Sequence, residues 1–155
     1  MGVRYFRRGK TRAFFVPTIS SIAAPTVAEI AAGTELTAGI SNIEGFATGQ
    51  EFIGTPDLAS PFTSTVPGEQ TVEDSNLKFY LDSASNPLRT TLAQGTTGYI
   101  VFIDHKPTGS IAAADKVDVY PIQIGAVPKE RDMGSTAAQW TAMIAITALP
   151  REDVA

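Results

Sequence analysis

The 155-residue sequence contains no cysteine and a single histidine, His105. Without cysteine there is no disulfide framework and no thiolate metal site. One histidine rules out a multi-histidine zinc site. No apolar run approaches the roughly 20 residues that a membrane-spanning helix needs, and the N-terminus lacks the hydrophobic segment of a signal peptide. The expectation is a soluble protein with no membrane partner. Catalytic signatures are missing as well: there is no P-loop, no G-x-G-x-x-G, no G-x-S-x-G and no H-E-x-x-H.

The residues that remain for chemistry read as ordinary surface or core. His105 lies between Asp104 and Lys106 at a strand end, the setting of a surface histidine. Glu69, Glu73 and Asp74 have the spacing of an exposed acidic turn as much as that of an acid/base pair. Asp115 and Asp118 fall short of a calcium loop, which needs several oxygen ligands at fixed spacing. Tyr120 and Trp140 fall within strand patterns and read as core or interface rather than as base-stacking platforms. The sequence therefore points to no enzyme, no metal and no cofactor.

Charge is distributed unevenly. Arg4, Arg7, Arg8, Lys10 and Arg12 place five of the 12 basic residues in the first 12 positions, with no acid among them. Residues 13–155 carry the other 7 bases against all 16 acids, a net of −9. A basic arm (1–12, with Tyr5 and Phe6) precedes an acidic body (13–150) and a short polar tail (151–155). Such asymmetry suits either nucleic acid or the acidic surface of another copy.

The clearest stretch runs from Ser75 to Ile103. Leu77, Phe79 and Leu81 alternate with Lys78, Tyr80 and Asp82, the period-2 pattern of a strand with one buried face. Asn86 is placed to cap a helix whose first residue is Pro87. Leu88 and Leu92 share a face of that helix, and Gly95 offers a left-handed stop. Tyr99–Ile103 is apolar and β-branched, as a buried strand is.

Around this strand–helix–strand unit the chain predicts more strands. Arg12–Val16 ends at Pro17, and Thr26 and Glu29 have capping-box spacing ahead of Gly33. Leu36–Phe46 reads as one or two strands with a bend or bulge at its glycines. Gly54–Gly68, with Pro56, Pro61 and Pro67, reads as a long functional loop. Thr108–Ala114 reads as a small-residue loop and Lys116–Ile124 as a strand in which Pro121 demands an edge or bulge. Lys129–Asp132 reads as a charged turn. Gln139–Ala148 is apolar on both faces and therefore expected to be covered on both. The class is mostly β: a sandwich or open barrel of six or seven strands, a flanking helix and a short helical turn. No repeat of about 20–50 residues marks a solenoid. An unpaired sheet edge must be blunted or joined to another chain, and joining accounts for the two-faced final strand, which implies a homo-oligomer.

The order of several segments resembles a known family. Thr55-Pro56-Asp57-Leu58-Ala59, Val66-Pro67-Gly68-Glu69, Glu73-Asp74-Ser75, Leu77 and Tyr80 are similar to the tail tube (major tail) proteins of long-tailed, non-contractile bacteriophages, particularly those of actinobacteria. So are Asn86-Pro87-Leu88-Arg89, Gly95-Thr96-Thr97-Gly98-Tyr99, Val119-Tyr120-Pro121-Ile122-Gln123 and Ala145-Ile146-Thr147-Ala148-Leu149-Pro150. The resemblance implies a β-sandwich flanked by a helix, six copies joining sheets into a ring, and rings stacking into a hollow tail tube in the virion. It implies assembly in the host cytoplasm around a tape measure protein, with tail terminator and distal tail proteins as neighbours. DNA would pass the lumen without specific binding, repelled by acidic walls. No immunoglobulin-like domain follows Pro150, which implies a smooth tube. Candidate inter-subunit or inter-ring contacts are Arg4, Tyr5, Phe6, Arg7 and Arg8 of the arm, together with Phe52, Asp57, Phe62, Val66 and Trp140. The competing readings are a single-ring tail terminator or connector, and a nucleic-acid-binding module gripping phosphate through Arg4–Arg12.

Overall fold

The computed structural model describes residues 2–104, 106 and 108–154. The reading of His105 as a surface side chain lies outside the described residues. In chain order the elements begin with β1 (Arg12–Val16), α1 (Val27–Ala31), β2 (Thr34–Glu35), a 3-10 turn (Thr37–Gly39), β3 (Ile40–Glu44), β4 (Thr48–Thr55) and β5 (Ser64–Val72). They continue with β6 (Ser75–Tyr80), α2 (Pro87–Thr91), β7 (Thr97–Ile103), β8 (Val117–Ile124), β9 (Lys129–Glu130), β10 (Gln139–Ile146) and β11 (Arg151–Val154). Neither helix is long and apolar enough to cross a membrane.

The main sheet runs β2-β1-β7-β8-β10-β6-β3, with β11 on β8 and β9 on β10, and every pairing is antiparallel. It forms two layers, because β8 changes partner along its length. Ile122–Ile124 pairs with β10, whereas Val117 and Val119 pair with β11. Pro121 sits at that seam. It lies opposite Tyr99 of β7, and its carbonyl accepts from Thr147. The missing N–H thus falls where the partner strand changes, a local edge inside the sheet.

Alternation along each strand sorts side chains into two cores. Ala13, Phe15, Ile100, Phe102, Tyr120, Ile122 and Ile124 face Leu77, Phe79, Trp140, Ala142 and Ile144 across the first core. Trp140 stacks on Phe79, ring centroids 4.6 Å apart. Phe14, Val16, Val101, Ile103, Val117 and Val119 point the other way, into a second core under Ile30 of α1. The architecture is that of a β-sandwich with a flanking helix, as expected.

Several local expectations hold in detail. The Thr26 hydroxyl accepts from the Glu29 amide at 3.2 Å while Glu29 accepts from the Thr26 amide at 3.4 Å, a complete capping box. Leu92 is fully buried in the first core, with Leu88 packed beside it. Gly45 turns at φ 80°, and the β3–β6 register shifts between Ile40 and Asn42, so the stretch before Phe46 has both a bend and an irregularity.

Other expectations are corrected. Asn86 does not cap α2; its amide side chain instead bonds both backbone groups of Asp82. The helix ends at Leu92, three residues before Gly95, whose left-handed φ of 84° serves the following turn. β6 and β7 are not neighbours: α2 carries the chain from one layer to the other. Lys129–Glu130 is a short strand rather than a turn. Residues 151–154 are not a tail but a strand of the main sheet. Arg12 belongs to the body: it opens β1, pairs with Glu35 at 2.9 Å and lies 5.0 Å from the Phe14 ring centre. β10 buries Trp140, Ala142 and Ile144 on one face, with Ile146 half-buried at its end. On the other, Glu130 covers Thr141, while Met143 and Ala145 are exposed.

Trp140→Ala removes a side chain buried against Phe79 and is expected to lower unfolding free energy by about 3–5 kcal/mol. Urea denaturation followed by circular dichroism measures it, since the substitution removes the sole tryptophan.

Candidate assembly surface

The stretch from Gly54 to Gly68 is not the long loop that its prolines suggested. β4 and β5 pair with each other over Thr48↔Val72 to Thr55↔Ser64 and, among the described residues, with no other strand. Only residues 56–63 form the connection. There Asp57 Oδ1 accepts from the amides of Ala59 and Ser60, and Ser60 Oγ accepts from the Phe62 amide. Pro67 is accommodated because the ladder is irregular beside it. The register shifts between Gln50 and Phe52, and the Gln50 side-chain amide reaches across to the Gly68 carbonyl at 3.0 Å.

This hairpin exposes what a stable surface usually hides. Phe52, Ile53, Leu58, Phe62 and Val66 are all exposed, Phe62 by 74%. Ile53 lies opposite Val66 and Phe52 opposite Pro67, so the two pairs occupy opposite faces of the ribbon. A lone two-stranded hairpin is marginally stable in water. Apolar side chains on both of its faces mark a segment shaped to be covered by another molecule.

The arm lies elsewhere. Arg7 pairs with Asp104 at 2.7 Å, the Thr11 hydroxyl donates to the same carboxylate at 2.6 Å, and the amides of Lys10 and Thr11 both donate to the Arg7 carbonyl. Gly9, at φ 76°, supplies the left-handed residue of that turn. Outward from it, Val3, Arg4, Phe6 and Arg8 are exposed. Beneath Tyr5 opens a cleft of about 620 Å³ lined by Phe102, Asp104, Asp115, Asp118 and Asp153, with Lys106 and Lys116 at its margin. Lys106 pairs with Asp115 at 2.5 Å. The Asp115 carboxyl is held below its usual range by the Ala112 amide and by that lysine. Burial raises Asp118, and the nearby Glu152, Asp104 and Asp153 carboxylates add to the effect, opposed by a bond from the Asp153 amide. Burial, with Glu152 next to it, likewise pushes the Tyr120 phenol upward. Among the described residues, no group of three or more His, Cys, Asp or Glu side chains is placed to hold a metal ion.

The described surface thus combines an exposed apolar ribbon with an acidic cleft. The sequence model of the family described as "Phage tail tube protein" matches residues 1–155. The chain belongs to the phage tail tube protein family. That family is structural rather than enzymatic: tail tube proteins assemble into an oligomeric tube, associate with other tail components and are part of the virion tail. No curated protein matches the sequence. Among solved structures, a chain in the cryo-EM structure of the anti-feeding prophage baseplate, 6-fold symmetrised, shares the fold. Its TM-score is 0.66 at 10% identity, with 97% of this chain and 96% of that chain covered.

On this tail tube protein the candidate contacts divide into three groups. Phe52, Asp57, Phe62 and Val66 come together on the hairpin, all exposed; Asp57 organises its tip. Arg4, Tyr5, Phe6, Arg7 and Arg8 lie on the arm, where Arg7 is already engaged by Asp104. Trp140 is 1% exposed in the subunit's own core. Sequence reasoning missed Ile53 and Leu58, neighbours of residues it named, because the three prolines concealed the strands on either side. It missed the β11 carboxylates too, having read them as a solvated end.

A carboxyl raised on folding costs stability while charged; the cost shrinks as pH falls below its folded pKa and is gone only below the unfolded value. Asp118→Asn keeps an acceptor for the Asp153 amide and is expected to raise Tm at pH 7, the two proteins converging as acidification neutralises Asp118. Thermal melts from pH 7 to 4 measure this.

Proposed function

We propose that this protein is the repeating subunit of a hollow, non-contractile phage tail tube, six copies per ring, through which DNA leaves the virion. The observation that carries the reading is hairpin β4–β5, a projecting ribbon with apolar side chains on both faces and no partner strand in its own subunit. Its length suits contact with a neighbouring subunit or the next ring. The outer edge of β3 is also unpaired, since β3 bonds only to β6. It offers backbone donors and acceptors through which sheets of adjacent subunits would join. Six copies fit the six-fold symmetrised assembly that contains the structural neighbour. The acidic body supplies a lumen that repels phosphate, so that DNA slides rather than sticks. In this reading the subunits form around a tape measure protein in the host cytoplasm, between terminator and distal tail proteins, and Arg4 and Arg8 bridge to acidic surface on the adjacent ring.

The baseplate origin of that neighbour favours a second reading, a single ring at one end of a tail that does not polymerise. The nucleic-acid module is weakened by the ion pairs of Arg7 with Asp104 and Arg12 with Glu35, which engage two of the five N-terminal bases within the subunit.

Negative-stain electron microscopy over a range of protein and salt concentrations tests these readings. Hollow tubes or stacked rings are expected; isolated rings favour the single-ring reading, and a monomer under every condition defeats both. Burying one phenylalanine side chain contributes about 1.5–3 kcal/mol. Phe62→Ala is therefore expected to raise the concentration needed for tubes at least about tenfold without changing the monomer's circular dichroism.

A further inference from the structure

Strands β3 and β4 follow one another, and so do β5 and β6. Because β3 pairs with β6 and β4 with β5, the four form a single ribbon with one interruption, at residues 45–47 and 73–74. The ladder is not lost there, since the Glu73 amide still donates to the Ala47 carbonyl at 3.1 Å. The backbone, however, turns left-handed twice in succession, at Gly45 (φ 80°) and Phe46 (φ 61°). At Gly45 no other residue fits: a Cβ would lie 2.5 Å from the Asp74 carbonyl oxygen and 2.7 Å from Ser75 Cα. For phenylalanine a positive φ is a strained state that persists only where its surroundings over-determine it.

Those surroundings are unusually complete. The Phe46 ring is 8% exposed and meets Phe102 and Tyr120 edge-on, at centroid distances of 5.3 and 5.2 Å. Its amide donates to Ser75 Oγ at 3.0 Å, and that hydroxyl donates onward to the Glu73 carbonyl at 2.9 Å. Its carbonyl lies 3.0 Å from the Tyr120 hydroxyl, whose single proton is shared with Glu152 Oε1 at 3.1 Å. Both backbone groups of a buried, strained residue are thus satisfied by side chains that belong to the body of the subunit, Ser75 on β6 and Tyr120 on β8.

We infer that Gly45–Phe46 is a locked elbow that fixes the angle at which hairpin β4–β5 leaves the subunit, with Ser75 and Tyr120 as its positioning residues. The hairpin is therefore a rigid projection that meets a second copy in a preset direction, not a flexible tether that searches for it. What the hairpin touches rests on the assembly reading; its rigidity does not.

The absence of native cysteine makes a direct test simple. Ser60→Cys at the hairpin tip and Ala32→Cys after α1, both exposed positions, carry a spin-label pair whose distance distribution is read by pulsed electron paramagnetic resonance on the full chain. A single narrow distribution is expected. Adding Tyr120→Phe, which removes only the hydroxyl, should broaden it; adding Ser75→Ala as well should broaden it further, while circular dichroism reports an intact fold. Gly45→Ala should shift the mean distance. A broad distribution in the parent pair, or one unchanged by Tyr120→Phe with Ser75→Ala, would overturn the elbow. Electron microscopy of the unlabelled Tyr120→Phe, Ser75→Ala protein should show the tube-forming concentration raised at least about tenfold. If the unsubstituted protein makes no tubes, the assembly reading falls, while the distance measurement still decides the elbow.

Discussion

Strands β1, β7 and β8 bury both of their faces, so each needs cover on two sides, and the arrangement of the remaining chain answers that need. On one side, Leu77, Phe79, Trp140 and Ile144 come from β6 and β10 to close the first core. On the other, α1 brings Ile30, with Ile19 and Ile22 beside it, to close the second. β6 and β10 then have only one apolar face each to bury. Their outer face carries Lys78, Thr141 and Glu130 in a small polar network, with Met143 and Tyr80 left open. Two-sided burial in the middle of the sheet and one-sided burial toward its end follow from the same alternation of side chains.

The projecting hairpin and the acidic cleft both depend on that core. Phe46 is a member of it, and through Phe46 the core reaches out to set the start of the projecting ribbon. The acidic cleft is likewise built on core strands: Phe102 forms part of its wall, Asp118 lies on β8, and Asp153 reaches it from β11. At that cleft Asp104 holds the arm through the Arg7 ion pair, in which Arg7 remains two-thirds exposed, and through the Thr11 hydroxyl. Exposed pairs of this kind contribute little on their own, whereas the hairpin base is held through the buried Phe46.

The sequence was legible where one physical signal dominated. The run Tyr99–Ile103 could only be a buried strand, and Thr26 with Glu29 could only be a helix start. Leu77 and Phe79 declared their common face. It misled where a local signal competed with a distant partner. Three prolines outweighed the strand pattern of Phe52-Ile53 and Val66, because nothing local reveals that Gln50 would fill the irregularity beside Pro67. Asn86 has the right chemistry for a cap but spends it on Asp82. Arg151–Val154 carries three charges in four residues and reads as solvated; the free edge of β8 that recruits it is created by Pro121, thirty residues upstream. Trp140 was placed in core or interface, and only the Phe79 stack decides between them. The family was visible in the order of motifs, whereas the elbow was not, since a left-handed phenylalanine has no sequence signature.

Residues 48–72, the projecting hairpin β4–β5, contain three acids (Glu51, Asp57 and Glu69) and not one lysine or arginine. Two copies meeting hairpin to hairpin across a two-fold axis would bring these acids together, with no cation in either hairpin to relieve them. A self-complementary dimer is thereby disfavoured, and the ribbon's apolar faces are left for a different, less acidic patch on the next molecule. Contacts between unlike patches are the kind that close into rings or propagate without end. The charge pattern of this one segment favours such unlike contacts over a pairing of hairpin with hairpin.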